Sequence, residues 1–165
     1  MQPAAAHMER RFPLLLILHH DCGDLVPVVE GHLDRPGARL ARDGKVVLSS
    51  IKAPSSRFFV GRLNSGALLF VRNNSEKIRE KLTAYLSYDD GHSWSSELLL
   101  MADPYVSYPD ACQGDDGVIY IIYDKDRFKG GHIYMSRVTE QDIIQGKLCS
   151  PASALNIEIS RIRPV

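Results

Sequence analysis

The residues from Ser87 to Trp94, SYDDGHSW, place two aspartates, a glycine, a histidine and a tryptophan within one short segment. Such residue types could form a metal-binding loop, a catalytic pair of carboxylates or a turn that requires particular residues at particular positions. Adjacent residues of a strand point to opposite faces, so Asp89 and Asp90 do not converge easily on one substrate. The segment also does not continue into the spaced oxygen ligands that a calcium loop needs. A turn is therefore the favoured interpretation.

A second ligand-rich stretch is HHDC, from His19 to Cys22, but four consecutive residues rarely converge on one metal ion. The chain has three cysteines, Cys22, Cys112 and Cys149, which lie far apart and form no CxxC motif. This spacing argues against a zinc site and against a disulfide framework, although one incidental disulfide stays open. We expect neither a metal nor a cofactor.

Charge and hydropathy exclude two classes of partner. Among its 165 residues the chain has 20 Lys plus Arg and 20 Asp plus Glu, with no basic block, which argues against nucleic-acid binding. The apolar run FPLLLIL, from Phe12 to Leu18, is too short to span a membrane. No small-residue cleavage site follows it, so we expect a buried strand there and not an export signal. Compartment and oligomeric state stay open.

The elements that must position any site are short strands. Between residues 44 and 138, glycines and prolines separate apolar runs of strand length that are rich in Val, Ile, Tyr, Phe and Thr. These runs are KVVLSS, RFFVGRL, ALLFVRN, LTAYLSY, ELLLM, VIYIIYD and HIYMSRV. Behind them, Thr139 can cap a short helix with Asp142 three residues on, and Gly146 can end it. The sequence predicts an all-β chain with one short C-terminal helix.

The strands repeat along the chain. In two places a short strand leads through a glycine turn, at Gly66 and at Gly117, into a strongly apolar strand. The offset of about fifty residues is the length of one β-propeller blade, and a blade needs stacked neighbours to bury its faces. We therefore predict a poorly defined segment with one candidate strand at 1–43, about three propeller blades at 44–150, and a tail or closing strand at 151–165.

The turn segment identifies a family. Ser87, Asp89, Gly91 and Trp94 fit the pattern S-x-D-x-G-x-x-W, which resembles the Asp box, or BNR repeat, of sialidase-like β-propellers. Ser87 and Asp89 can bond to turn backbone, Gly91 can take a positive φ, and Trp94 can pin the turn onto its blade. The resemblance implies a structural role, since in that family this turn lies on the outer rim, away from the substrate pocket.

A second segment, VSYPDACQGDDGVIYIIYDKDR at residues 106–127, resembles the part of exo-sialidases that carries the tyrosine nucleophile. Tyr108 matches that tyrosine, and Asp124 lies near the acidic position, which is usually Glu. The segment is also similar to bacterial BNR-repeat proteins of the same superfamily, with the pattern SYPD…DG.IY..YD.DR and a following TEEDI, here TEQDI. The resemblance covers roughly residues 55–146.

The resemblance implies a chemistry and a set of site residues. A sialic acid carries a carboxylate beside its anomeric carbon, which would repel a carboxylate nucleophile but not a neutral phenol. Arginines can then clamp the substrate carboxylate. The catalytic candidates are Tyr108, Asp110 and Asp124, and the substrate-binding candidates are Arg57, Arg127 and Tyr123, with Arg72 as a weaker choice. Core tyrosines, a turn aspartate and a surface salt bridge are the structural alternatives for these residues.

The implied function is hydrolysis of a terminal sugar from a glycan, and the implied partner is that glycan. The alternative is a noncatalytic propeller that binds carbohydrate or protein. Sialidases need about six blades, residues 1–50 contain no RIP-like arginine motif, and no glutamate is a clear partner for Tyr108. We therefore expect the C-terminal part of a propeller or a truncated relative, and we expect a full-length parent to carry the activity.

Overall fold

A computed structural model describes residues 27–29, 46–48 and 51–162 of the chain. The strand expected at residues 12–18 lies outside the described residues. The elements are β1 Pro27–Val29, β2 Val46–Leu48, β3 Phe59–Arg62, β4 Leu68–Asn73, β5 Leu82–Ser87, β6 Ser95–Met101, β7 Val106–Gln113, β8 Ile119–Lys125, β9 His132–Val138, α1 Glu140–Gln145 and β10 Ala154–Arg161.

The described strands form two four-stranded antiparallel sheets and one separate strand pair. The sheets run β3-β4-β5-β6 and β7-β8-β9-β10, so each strand pairs with its neighbour in the chain, and β1 pairs with β2. Both sheets begin with the same hairpin, in which Gly66 and Gly117 take φ values of 93° and 83°. Such values suit glycine because it has no Cβ. The predicted all-β, propeller-like fold is confirmed, with the two sheets in the place of blades.

The core lies between the two four-stranded sheets and follows the alternation of their strands. On β8, Ile119, Ile121 and Tyr123 are buried while the residues between them are less so. The first sheet contributes buried side chains from β4, β5 and β6 to the same cluster, among them Leu69, Val71, Leu82, Leu86, Leu98 and Leu100. Period-two alternation therefore decides which face of each strand packs against the neighbouring sheet.

The helix lies where the sequence predicts it. Thr139 is the N-cap and forms a capping box with Asp142, and Gly146 ends the helix in the left-handed region with φ 65°. Helix α1 follows β9 of the second sheet but contacts β5 and β6 of the first, and its Ile143 is fully buried in the shared core. The helix therefore joins the two sheets. No helix of the described residues is long and apolar enough to cross a membrane.

Candidate functional site

The Asp-box segment forms a hydrogen-bonded turn between β5 and β6. The Ser87 hydroxyl donates to Asp89 Oδ1 at 2.8 Å and accepts from the Gly91 amide at 2.8 Å. Asp89 also accepts from the amide and the hydroxyl of Ser93, at 2.8 and 2.6 Å. The Ser93 and Ser87 hydrogen bonds hold the pKa of Asp89 down at about 2. The carboxylate thus stays charged as the acceptor that shapes the turn.

The Asp-box resemblance implies that Trp94 packs against its own sheet and is largely buried there. Trp94 is partly buried, and its ring centre lies 4.8 Å from that of Phe70 on β4. Arg62 links the hairpin turn at Gly66 to the Asp-box turn, since it donates to the Gly66 carbonyl and to Asp90 Oδ1, each at 2.6 Å. These contacts support a structural role for the whole end of the sheet.

The opposite end of the sheets carries a β-bulge at Tyr108. Ser107 pairs with Asp124 and Asp110 pairs with Ile122, so β7 contains one more residue than β8 between these two pairs. Tyr108 has φ 56°, which is uncommon for a bulky residue. Bulges re-aim side chains and are frequent beside functional sites, and strained backbone of this kind costs about 1–3 kcal/mol. The bulge sends Tyr108 and Asp110 to different partners.

Two guanidinium groups lie over the Tyr108 ring. The Cζ atom of Arg127 is 3.9 Å from the ring centre, and that of Arg79 is 5.3 Å from it. Both distances allow a cation–π interaction. Arg79 is held in place because its Nε and Nη2 donate to the Ser55 carbonyl at 3.0 and 2.7 Å. Arg79 is not among the site residues predicted from the sequence, and its only signal there is its place in the charged segment NNSEKIREK.

Asn73 fixes the loop that carries Arg79 to the start of β7. Its Nδ2 donates to the carbonyls of Glu80 and Val106, both at 3.0 Å, and the side chain is fully enclosed. The Val106 amide in turn donates to the Arg79 carbonyl at 3.2 Å. The first sheet therefore positions Arg79 against a tyrosine of the second.

Asp124 pairs with Arg127 and Ser107. Arg127 donates to Asp124 Oδ2 through Nε at 2.7 Å and also through Nη2, and the Ser107 hydroxyl donates to Oδ1 at 2.8 Å. The hydrogen bond that Arg127 donates to Asp124 is the main reason that the pKa of Arg127 is raised. Asp124, one of the catalytic candidates, thus binds the arginine that covers the Tyr108 ring.

The remaining candidates lie outside this cluster. Arg57 and Asp110 pair at 3.3 Å between Nη2 and Oδ2, and both side chains are more than half exposed. Exposed pairs of this kind contribute little to stability. Tyr123 is in the core, and its hydroxyl bonds to Ser136 Oγ at 2.7 Å and to Asn156 Oδ1 at 2.9 Å. Burial raises the pKa of Tyr123. Tyr123 and the exposed pair therefore have partners other than the two arginines that cover the Tyr108 ring.

A cavity of about 160 Å³ opens at this end of the sheets. Three cationic side chains line it, from Arg79, Arg127 and Lys129, with one carboxylate from Asp126. The other lining residues are Tyr105, Ser107 and Phe128. Among the described residues, no group of three or more His, Cys, Asp or Glu side chains is placed to hold a metal ion. Cationic side chains therefore outnumber carboxylates among the residues that line the cavity.

The chain is of the Asp-box class, with repeated antiparallel sheets, an S-x-D-x-G-x-x-W turn at one end and polar side chains gathered at the other. A family model, the BNR repeat-like domain, matches residues 38–121, which is half of the chain. The chain belongs to this BNR repeat-like family. No curated protein and no solved structure is significantly similar to it.

Proposed function

We propose that the chain recognises a glycan through an anionic sugar bound in the cavity between Arg79, Arg127 and Lys129. The observation that carries this proposal is the composition of that cavity, in which three cations face one carboxylate. Asp124 neutralises much of the charge of Arg127, whereas neither Arg79 nor Lys129 forms an ion pair within residues 51–162, and Lys129 is the more exposed of these two. Cations that line a concave site attract anionic ligands, and guanidinium groups match carboxylates in shape.

In this arrangement Tyr108 supports the arginines from behind. Its ring lies against both guanidinium groups, and it is not one of the side chains that line the cavity. A tyrosine in such a position orients cations and does not meet the ligand first. The geometry therefore favours the binding module over the hydrolase for the chain by itself.

Hydrolysis of a terminal glycosidic bond is the second candidate, and the bulge at Tyr108 favours it. A positive φ at a tyrosine beside a cationic cavity is the kind of strain that functional sites retain. On this candidate Tyr108 is the nucleophile of a sialidase-like hydrolase, as the family resemblance implies. The arginines would then have to move off its ring before it could attack.

The binding proposal is tested by calorimetric titration of the 165-residue chain with N-acetylneuraminic acid. Lys129→Ala should weaken binding about tenfold, because it removes one direct charge contact while disturbing no buried group. Lys147→Ala, an exposed lysine just after α1, is the matched control and should bind as the unmodified chain does. Equal affinity of the unmodified chain and Lys129→Ala would contradict the proposal. Release of methylumbelliferone from its sialoside, lost on Tyr108→Phe, would establish the hydrolase instead.

A further inference from the structure

Two exposed aromatic side chains stand at the rim of the cavity. Phe128 is 91 % exposed and Tyr105 is 59 % exposed, and both line the cavity beside Arg127. Isolated exposed apolar residues are ordinary, but aromatic residues grouped at the mouth of a polar cavity are typical of ligand-binding grooves. Nothing in the proposed contacts to the anionic sugar uses either ring.

The backbone holds both aromatic residues in fixed positions. The Asp126 carbonyl accepts the amides of Lys129, Gly130 and Gly131, each at 2.9 Å, and so closes the turn that carries Phe128. The Asp126 amide donates to the Tyr105 carbonyl at 3.1 Å, which ties the two turns together. Tyr105 and Asp126 both have positive φ, 63° and 52°. A strained but hydrogen-bonded pair of turns presents these two residues from a backbone that needs little further ordering on binding.

The Phe128 turn is also anchored from behind by the end of the chain's last described strand. The Ile162 amide donates to the Gly131 carbonyl at 3.0 Å, and a Cβ on Gly131 would lie 2.4 Å from Ile162 Cδ1. Gly131 has φ 51°, so glycine suits both the backbone and the close approach. The turn is therefore packed on its inner side while Phe128 points its ring into solvent.

We propose that Phe128 and Tyr105 form an apolar subsite for the second, neutral sugar of a glycan whose terminal anionic sugar occupies the cationic cavity. This inference rests on the proposed function. A cavity of about 160 Å³ is below the usual range of roughly 300–1,000 Å³ for ligand pockets, so the second sugar of a bound glycan would lie outside it, at the rim. A neutral pyranose has a face of C–H groups that an aromatic ring can cover while its hydroxyls stay in water.

The test compares two probes, free N-acetylneuraminic acid and its α2,3-linked conjugate with lactose, by calorimetric titration of the 165-residue chain. Phe128→Ala should weaken binding of the conjugate about tenfold and leave binding of the free acid within about twofold. Tyr105→Ala should act in the same direction. Ile159→Ala, an exposed apolar residue on β10 that does not line the cavity, is the matched control and should change neither affinity.

The outcomes separate the subsite from the proposed function. If both aromatic variants bind the conjugate as the unmodified chain does, the subsite is wrong while anion recognition by Lys129 stands. If the unmodified chain binds neither probe, both proposals fall. If Phe128→Ala leaves the conjugate's affinity unchanged but loses binding to vesicles of phosphatidylcholine and phosphatidylserine, the aromatic pair belongs to a lipid surface and the subsite is overturned.

Discussion

Asp142 is the side chain whose replacement should reveal most about how this chain is held together. Its carboxylate is fully buried and accepts five hydrogen bonds. Oδ2 accepts from the amide and hydroxyl of Thr139, at 2.7 and 2.9 Å, and from the Ser153 hydroxyl at 2.5 Å. Oδ1 accepts from the amides of Cys149 and Ser150, at 2.6 and 3.2 Å. One residue thus closes the helix cap and fixes the loop that leads to β10.

The cost of Asp142→Asn follows from this geometry. The asparagine is less costly when its NH₂ group takes the place of Oδ2 and faces Thr139. The Thr139 hydroxyl can then rotate to accept a hydrogen bond, but the Thr139 backbone N–H cannot. One buried donor then loses its acceptor, at about 1–3 kcal/mol, and the remaining bonds lose their charge assistance. We expect the free energy of unfolding to fall by about 3 kcal/mol. Asp142→Ala leaves three backbone donors without their acceptor, and we expect a loss of about 5 kcal/mol.

The assay is urea unfolding of the 165-residue chain followed by far-ultraviolet circular dichroism. The control is Gln141→Ala, an exposed position in the same helical turn, which should stay within about 0.5 kcal/mol of the unmodified chain. An Asp142→Asn variant as stable as this control would refute the claim that the buried carboxylate organises the loop.

The pH dependence gives an independent check of the same carboxylate. Burial alone would raise the pKa of Asp142, but the hydrogen bonds from Ser153, Cys149 and Thr139 outweigh it and hold the pKa at about 2. A lowered pKa stabilises the fold above the ordinary value of 3.8, and this contribution is lost as the pH falls through about 2. The stability difference between the unmodified chain and Asp142→Asn should therefore stay nearly constant down to about pH 4 and shrink as the pH falls from there to about 2. A constant difference would show that charge is not involved.

Three further predictions follow from other contacts. Trp94→Ala should lower the free energy of unfolding by about 2 kcal/mol, less than for a fully buried aromatic, and a Trp94→Phe variant should recover part of it because the contact with Phe70 remains. Asn73→Asp should cost about 3 kcal/mol in urea unfolding, since a carboxylate would face two backbone carbonyls, whereas the exposed Asn74→Asp should be nearly neutral. Because the pKa of Asp89 is held at about 2, Asp89→Asn should lose stability at neutral pH but little at or below about pH 2, and an equal loss at both would contradict the role of the charge.

The local features of this fold were predictable from the sequence because each depends on residues a few positions apart. Period-two alternation located the strands, and the glycines at 66 and 117 marked the two matching hairpins. The Ser87 and Asp89 pattern encoded the turn, and Thr139 with Asp142 encoded the capping box. In each case the partners that satisfy the backbone are close neighbours in the chain, so the sequence contains the whole interaction.

The cluster of side chains around Tyr108, at the end of the sheets opposite the Asp-box turn, could be predicted only in part from the sequence. Tyr108, Asp124 and Arg127 were candidates, and the structure brings them into contact, but Arg79 was not among them. Arg79 reaches Tyr108 from the other sheet, and nothing within its own segment distinguishes it from a solvated charge. Whether these residues bind or act on a sugar stays a prediction.

The sequence by itself determined the strands, the turns, the helix cap and the family. The tertiary structure decided which side chains share a cavity. The one-residue bulge at Tyr108 turns that ring towards two arginines and leaves Asp110 to pair with Arg57. Tyr123 and Asp124 are adjacent on β8, so alternation of side chains puts only one of them in the core. Because the second sheet packs against the first on the Tyr123 side of β8, the tyrosine is the buried one. The physical reason is that alternation and turn chemistry act over a few residues, whereas a bulge and the stacking of sheets depend on contacts between segments far apart in the chain.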